Sequence, residues 1–294
     1  MSSPLFTFIH VPDSHLSESL DVVTPFVESV NAEEFHPRPD FVVFGGDNIN
    51  GCEEDGAVCQ REMPMLKERL ERLRVPYYAL CHCHDTWGEP SRGTQFRKHF
   101  GRNLDCTIDL PGGFAAICVS GCTQEGGMFV TGLVDKTAWL NESLSTMRDR
   151  KVILFSHVPM FPPRKPVPES QRSILRHDRW EAYCAGHRPE ASKPVRDVIA
   201  WHGNVIAHYS GHCHVHSVTE SAKTHYITTA SLATQPWEYR YVEAYSNRMG
   251  HACFRPHQLT NGQGFWTNCF DEDHPDVELY HNGLPEEREF VITF

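Results

Sequence analysis

Short apolar runs alternate with helical patterns along this chain, and this alternation constrains its fold more than any other feature. A strand-helix-strand order of this kind is typical of layered α/β proteins. The run Asp40–Phe44 is apolar from residue 41 onward, as expected for a strand that is buried on both faces. Six runs predict strands: Leu5–Val11, Asp40–Phe44, Val75–Cys81, Phe114–Val119, Lys151–Phe155 and Val205–Tyr209.

Helices are expected between these strands. Leu66, Leu70 and Leu73 stand at i, i+4 and i+7, which predicts a helix from Glu62 to Arg74 with one apolar face. A second helix is expected within 17–35. A third should follow an N-cap at Asp135 and bury Leu140, Leu144 and Met147. A fourth should begin at Ser192 and Pro194 and end at a C-cap, Gly203.

The segment from Phe161 to Pro194 is rich in Pro, Arg and aromatic residues and has no clear periodicity. Loops of this length are usually functional, so we interpret it as an insertion over an active site. The pattern is mixed strand and loop from Gln235 onward, with no internal repeat. We therefore expect one domain over 1–234 and a C-terminal extension over 235–294 that packs on the same domain.

The charge balance argues against a nucleic-acid-binding protein. The chain has 294 residues, with 27 basic and 38 acidic side chains and a net charge of −11. A nucleic-acid groove needs clustered positive charge, which this sequence lacks. No long apolar stretch or secretory leader is visible, so we expect a cytoplasmic protein without a membrane span. Its 11 cysteines are then best interpreted as reduced thiols or metal ligands.

Polar motifs follow five of the predicted strands. Each motif alone is weak, because a capping Asp or a buried His is common in any chain. Ligand sites in α/β sheets lie beyond the carboxyl ends of the strands, so all five can face one crevice. Asp, His and Cys are ligands of Zn, Fe and Mn. The motifs are Asp13-Ser14-His15, Gly46-Asp47-Asn48, His82-Cys83-His84-Asp85, Ser156-His157 and Gly211-His212-Cys213-His214.

The cysteines in these motifs allow other interpretations. In an extended segment, His212 and His214 would share one face and Cys213 would lie on the other, as a packing residue. Cys81 and Cys83 could be two small buried hydrophobic residues. A structural zinc site of Cys81, Cys83, Cys213 and one His is a further alternative, but it would leave the two Asp residues without partners.

The ordered set of motifs resembles the calcineurin-like metallophosphoesterases, nearest the branch of class III cyclic-nucleotide and glycerophosphodiester phosphodiesterases. The segments Phe96–Gly101, Thr131–Leu144 and Ser156–Pro159 also resemble that branch, and the likeness covers roughly residues 5–235. It implies a four-layer α-β-β-α sandwich of two mixed sheets with helices outside.

The resemblance also implies a dinuclear metal site and a mechanism. A hydroxide shared by two metal ions would attack phosphorus, His84 would stabilise or protonate the leaving side, and Asp85 would orient His84. The implied ligands are Asp13, His15, Asp47 and His214 for one metal, and Asp47, Cys83, His157 and His212 for the other.

Two positions depart from the family pattern. Cys83 stands where the family has an Asn ligand, and a thiolate favours Zn or Fe, with Mn still possible. His82 stands where the family has Gly; His tolerates positive φ better than most residues, and its ring could reach the pocket. We therefore count His82 as a candidate substrate contact, together with Arg172, Arg176 and His177 of the insertion.

The sequence thus predicts a hydrolase of small phosphomonoesters or phosphodiesters, with a homo-oligomer as one option for its assembly. Because Cys83 is unusual, a non-hydrolytic metalloprotein or an iron-dependent oxidoreductase on the same fold is the alternative. A catalytically silent scaffold is disfavoured because His84, Asp85 and the other expected ligands are present. Metal analysis together with turnover of a generic aryl phosphate would separate these functions.

Overall fold

Two six-stranded sheets form the centre of the structure. The structure is a computed structural model, and it describes residues 3–32, 35–51, 56–86, 93–101, 104–121, 136–161, 192–234, 236–256 and 283–294. Helices cover the outer face of each sheet, and an apolar core fills the space between the sheets. The predicted α-β-β-α sandwich is confirmed.

The first sheet combines strands from both ends of the chain. Its order is β12-β11-β10-β1-β2-β3. Strands β1, β2 and β3 are parallel, whereas β10 pairs antiparallel with β1, so the sheet is mixed. The strands are β1 (Phe6–Val11), β2 (Phe41–Phe44), β3 (Tyr77–Ala79), β10 (Tyr239–Ala244), β11 (Arg248–Phe254) and β12 (Phe290–Thr293).

The second sheet is drawn from the middle of the chain. Its order is β4-β5-β6-β7-β9-β8, and β5, β6, β7 and β9 are parallel. The outer strands β4 and β8 run antiparallel to their neighbours, so this sheet is also mixed. The strands are β4 (Cys106–Leu110), β5 (Phe114–Cys118), β6 (Lys151–Phe155), β7 (Val205–Ser210), β8 (Ser217–Ser221) and β9 (Thr224–Thr228).

The helices pack on the sheets through their apolar faces. Residues of α1 and α2 join the core of the first sheet, and residues of α4 and α5 join that of the second. Between the sheets, the rings of Phe8, Phe155 and Tyr209 contact one another at centroid distances of 5.2 to 5.5 Å. The helices are α1 (Val23–Asn31), α2 (Ala57–Leu70), α3 (Thr94–Phe100), α4 (Thr137–Thr146), α5 (Lys193–His202) and α6 (Pro285–Arg288).

The ends of α2 and α5 show where local sequence decides the structure. Helix α5 ends as predicted at Gly203, whose φ of 65° favours glycine over other residues. Helix α2 begins five residues before the predicted start at Glu62, although residues 57–61 show no apolar stripe of their own. Helix α2 ends at Leu70, before the predicted end at Arg74, so Leu73 lies outside the helix. Leu73 still packs against the same core as Leu66 and Leu70.

The remaining differences are elements that were not predicted from the sequence: strands β4, β8 and β9 and helix α3. Strand β4 was not predicted from the sequence, because only alternate residues of Cys106–Leu110 are apolar and the strand is half exposed. Residues 162–191 of the predicted insertion lie outside the described residues, as does Asp135. The C-terminal strands β10 to β12 extend the first sheet, and the domain boundary at residue 234 stays a prediction. No helix within the described ranges is long and apolar enough to cross a bilayer.

Candidate metal centre

The loops that follow five parallel strands meet at one edge of the sandwich. Asp13 follows β1, Asp47 follows β2 and Cys83 follows β3 in the first sheet. His157 follows β6 and His212 follows β7 in the second sheet. Because the carboxyl ends of parallel strands share an edge, residues far apart in sequence come together there.

The side chains that converge there form two groups that could hold metal ions. The candidate donor atoms within each group lie within 4.8 Å of one another. The resemblance implies Asp47 in both ligand sets, whereas here it belongs only to the second group, which also contains His82 as an additional member. The groups are Asp13, His15 and His214, and Asp47, His82, Cys83, His157 and His212.

The first group has the geometry of a site for a cation. His15 Nε2 lies 3.1 Å from His214 Nε2, and His214 Nε2 lies 3.4 Å from Asp13 Oδ1. The other oxygen of Asp13, Oδ2, accepts the His212 N–H at 2.7 Å, but Oδ1 is buried and has no hydrogen-bond partner. Two nitrogens bound to one tetrahedral zinc ion at 2.0–2.1 Å would be roughly 3.3 Å apart. The donor set therefore fits a metal ion better than it fits an apolar core.

The second group is arranged around Asp47. His157 Nε2 lies 3.0 Å from Asp47 Oδ2 and 3.2 Å from His212 Nδ1. Cys83 Sγ lies 3.4 Å from each carboxylate oxygen of Asp47. His157 Nε2 is also 3.6 Å from Asp13 Oδ1, so the two groups adjoin each other. Asp47 Oδ2 and Asp13 Oδ1 therefore both approach one nitrogen, His157 Nε2, at the boundary between the groups.

Burial and charge set the protonation states of the second group in the absence of metal. Burial opposes both charges, yet the carboxylates of Asp47 and Asp13 raise the pKa of His157 to about 9, and His157 and His84 hold the pKa of Asp47 well below its usual range. Burial lowers the pKa of His212 to about 3. Burial and the charge of Asp47 raise the pKa of the Cys83 thiol well above its usual range. A metal ion would therefore displace protons from His157 and Cys83.

Backbone carbonyls fix which nitrogen of two histidines faces the site. His157 Nδ1 lies 2.9 Å from the Gly45 carbonyl, and His84 Nδ1 lies 2.6 Å from the Asn50 carbonyl. A carbonyl only accepts hydrogen bonds, so Nδ1 of each ring carries a proton. The Nε2 atoms are then the nitrogens that can bind a metal or exchange a proton.

Left-handed backbone conformations concentrate at the site. Non-glycine residues with positive φ are uncommon, and such strain clusters at functional sites. Gly211 shows the close packing involved, because a Cβ there would collide with Asp13 Oδ2 and Pro12. The five residues of the centre with positive φ are Asp13 (54°), His15 (40°), Asp47 (52°), His212 (67°) and His214 (54°).

These conformations correct two expectations. His212 and His214 both have positive φ, so the segment is not extended, and strand alternation is the wrong reason for their placement. They face different groups, since the Nε2 of His214 approaches Asp13 whereas the Nδ1 of His212 approaches His157. His82 was expected to use positive φ, but it is not among the described residues that do.

Asp85 holds the loop rather than the ring of His84. Its carboxylate accepts the N–H groups of Asn48 at 2.9 Å, Ile49 at 3.3 Å and His82 at 3.0 Å. The expectation that Asp85 orients the His84 ring is therefore corrected, because the Nδ1 of that ring lies at the Asn50 carbonyl. Burial, followed by the charge of Asp47, raises the pKa of Asp85 to about 7. Asp85 joins the loop of Asp47 to the loop of Cys83.

Sequence reasoning missed two supporting side chains. Glu62 accepts the N–H groups of Asn50 at 3.1 Å and Gly51 at 3.2 Å, which fixes the carbonyl that holds His84. The sequence did contain an indication of this role, because Glu62 is spaced four residues before Leu66 and eight before Leu70, on the buried face of α2. Thr234 Oγ1 lies 3.3 Å from His214 Nδ1, and no motif pointed to it.

Other predicted residues are not part of these groups. Arg172, Arg176 and His177 lie outside the described residues, so their predicted substrate contacts stay predictions. Cys81 and Cys213 are fully buried, and neither belongs to a metal-binding group among the residues that the structure describes. This favours the packing interpretation of both over a structural zinc site.

A third cluster resembles a metal site in composition but not in electrostatics. His216, Glu238 and Cys253 offer donor atoms within 4.8 Å of one another. However, Arg240 Nη2 lies 3.1 Å from His216 Nδ1, and Arg288 Nε lies 3.1 Å from Glu238 Oε2. These guanidinium groups already supply the positive charge that a cation would bring. The cluster is a buried ion-pair network that joins α6 to the first sheet.

No protein-family model matches the chain. A curated relative, the probable glycerophosphodiester phosphodiesterase GpdQ of Arcobacter nitrofigilis, is 26% identical over 200 residues. The match covers 68% of this chain and 65% of the relative, so the chain spans slightly less than two thirds of that protein's length.

Solved structures share the fold at low sequence identity. A dimetal phosphatase from Danio rerio superposes with a TM-score of 0.62 at 16% identity, over 85% of this chain and 96% of that one. GAP50, described as the anchor in the inner membrane complex of Plasmodium, gives a TM-score of 0.56 at 12% identity, over 90% of this chain and 88% of that one. At these identities the likeness shows a common fold.

Proposed function

We propose that this chain, a calcineurin-like metallophosphoesterase by its fold and by the order of its site residues, hydrolyses phosphate esters with two bound metal ions. One observation carries the proposal: two groups of metal donors adjoin each other, with 3.6 Å between His157 Nε2 of one group and Asp13 Oδ1 of the other. Two adjacent cations, when bound, clamp a phosphate and acidify a water molecule at neutral pH. No such geometry is needed in a purely structural core.

In this proposal one set of side chains would bind the metal ions, and His84 would transfer a proton. Asp13, His15 and His214 hold one ion, and Cys83, His157 and His212 hold the other, with Asp47 shared. His84 carries its fixed proton on Nδ1, and its ring lies 4.6 Å from that of His15. In the imidazolium form of the ring, Nε2 also carries a proton, which it would donate to the leaving oxygen.

As a ligand, Cys83 would influence which metal the second group binds and how much positive charge that metal retains. A thiolate is soft and carries a full negative charge, so it favours Zn or Fe over Mn or Mg. It also reduces the net positive charge of that ion compared with a neutral amide oxygen. We therefore expect Zn or Fe in the purified protein and a lower rate than an Asn ligand would give.

The substrate class we propose is a small phosphodiester, with monoesters as the second choice. The name of the curated relative from Arcobacter nitrofigilis supports a diester, since it is a probable glycerophosphodiester phosphodiesterase. The match covers only part of that protein, so the organic part of the substrate stays open to test.

The second candidate is a non-hydrolytic metalloprotein on the same fold, including an iron-dependent oxidoreductase. Cys83 favours it, because a sulfur ligand 3.4 Å from the shared carboxylate is unusual for a site that activates water. The description of GAP50 as an anchor illustrates that this fold is not tied to one role.

Turnover assays separate the two candidates. Protein loaded with Zn, Fe or Mn is incubated with bis-para-nitrophenyl phosphate, para-nitrophenyl phosphate and a glycerophosphodiester. We expect hydrolysis of at least one ester and its loss in Asp47→Asn. His251→Gln is a matched control, because His251 is buried in the core at 2.6 Å from the Tyr209 hydroxyl, outside the metal groups. Metal-loaded protein that hydrolyses no ester would overturn the hydrolase proposal.

A further inference from the structure

His82 is a buried histidine whose ring nitrogen has no hydrogen-bond partner. Its side chain is 4% exposed, and Nδ1 is buried without a partner. Nδ1 lies 3.6 Å from Asp47 Oδ1, which is too far for a normal hydrogen bond. Burying an unsatisfied polar atom is energetically unfavourable, so the arrangement needs a reason beyond packing.

The surroundings of His82 hold this nitrogen at the second metal group. The His82 ring packs on that of His157 at a centroid distance of 4.2 Å. The backbone N–H of His82 donates a hydrogen bond to Asp85 Oδ2 at 3.0 Å. Gly121 leaves the space for the ring, because a Cβ there would come within 2.6 Å of His82 Nε2. The position of the ring is therefore set by the His157 ring, by Gly121 and by the backbone hydrogen bond to Asp85.

The distances to the other donors fit coordination of one ion. The donor atoms of His82, Asp47, Cys83, His157 and His212 all lie within 4.8 Å of one another. Two donors of a single zinc ion are at most about 4.2–4.6 Å apart, which is twice the bond length for nitrogen or for sulfur. A closure of a few tenths of an ångström would bring every pair of these donors within that limit.

We propose that His82 Nδ1 is a direct ligand of the second metal ion, beside Cys83. This inference rests on the proposed metal centre and extends it. In this chain the adjacent residues His82 and Cys83 then both bind the same ion, where the family resemblance implies a single Asn. A five-donor set occupies a coordination position that would otherwise hold solvent or a phosphate oxygen. The group of Asp13, His15 and His214 is then the more open of the two.

A double-mutant cycle with Gly121 isolates this contact. His82→Gly removes the nitrogen, and Gly121→Ala displaces the ring without touching any other donor. Each single variant should weaken one of the two metal equivalents by about 10-fold or more, measured by competition with a chromophoric chelator. Gly121→Ala should have no further effect in the His82→Gly background. His251→Gln serves as the control, with the fold of each variant checked by circular dichroism.

A crystal structure of the zinc-loaded protein gives the direct readout. We expect a His82 Nδ1–Zn distance of about 2.0–2.1 Å and a Cys83 Sγ–Zn distance of about 2.3 Å. A zinc ion bound to Cys83 with the His82 ring outside bonding distance would overturn this inference and leave the proposed hydrolase intact. A protein that binds no metal in either group would instead overturn the proposed function as well.

Discussion

Replacement of Cys83 by Asn should change the number of protons released when the second metal ion binds. In the metal-free protein, burial and Asp47 raise the pKa of the Cys83 thiol well above its usual value of 9.0, so the thiol is protonated near neutral pH. A thiolate ligand must lose that proton. An Asn ligand has none to lose.

The expected size of the effect comes from the two protonated ligands. His157 has a pKa of about 9 and also binds metal only after it loses a proton. Wild-type protein should therefore release two protons from this group per ion, and Cys83→Asn should release one. Each proton makes the affinity rise roughly tenfold per pH unit, about 1.4 kcal/mol. Between pH 7 and 8 the wild-type affinity should rise roughly 100-fold and that of the variant roughly 10-fold.

Isothermal titration calorimetry in two buffers of different ionisation enthalpy counts these protons at fixed pH. Cys81→Ala is a matched control, because Cys81 is buried two residues away and lies outside both metal groups. It should release as many protons as the wild type. If Cys83→Asn also releases the wild-type number, sulfur does not bind the metal and the argument from the thiolate fails.

Three further predictions test separate parts of the account. Asp47→Ala should abolish binding of both ions in elemental analysis, because the proposal assigns this carboxylate to both ions; retention of two ions would contradict this. His84→Ala should keep both ions yet lose about 100-fold in kcat, since His84 acts on the leaving oxygen; a parallel loss of metal would make it a ligand instead. Glu238→Gln should lower the free energy of unfolding by about 3 kcal/mol, because it leaves His216 and Arg288 without their buried carboxylate partner. His216 and Arg288 hold the pKa of Glu238 below its ordinary value of 4.5 against burial, so this stabilisation exists above that pH and is lost as the pH falls further. Urea denaturation at pH 7 and pH 3.5 should therefore show a deficit in Glu238→Gln that shrinks at the lower pH.

The strand pattern predicted much of the fold because the buried strands are almost wholly apolar. Strands β2 and β6 consist of buried side chains apart from Lys151, so their boundaries were predicted within a residue. Strand β4 was missed because it lies at an edge, where exposed and buried residues alternate over only five positions. The pairing of β10 with β1 could not be predicted, since nothing local specifies a partner more than 200 residues away.

The order of strands predicted that the candidate site residues converge, but it did not predict their local geometry. Asp13, Asp47 and His157 stand directly after strands, and strand ends alone bring them together. The left-handed conformations of His212 and His214 could not be predicted, because surrounding contacts impose them against local preference. The partner of the His84 ring depended on a carbonyl, Asn50, which no sequence pattern identifies.

The central claim is that two metal ions at this centre support hydrolysis of a phosphate ester, and one titration tests it most directly. Metal-free protein is titrated with Zn or Fe while turnover of bis-para-nitrophenyl phosphate is recorded against the amount of metal bound. We predict that the rate rises with metal and reaches a plateau at two equivalents per chain, and that Asp47→Asn shows no rise. A plateau at one equivalent, or a protein that binds two equivalents and leaves the ester intact, would contradict the account.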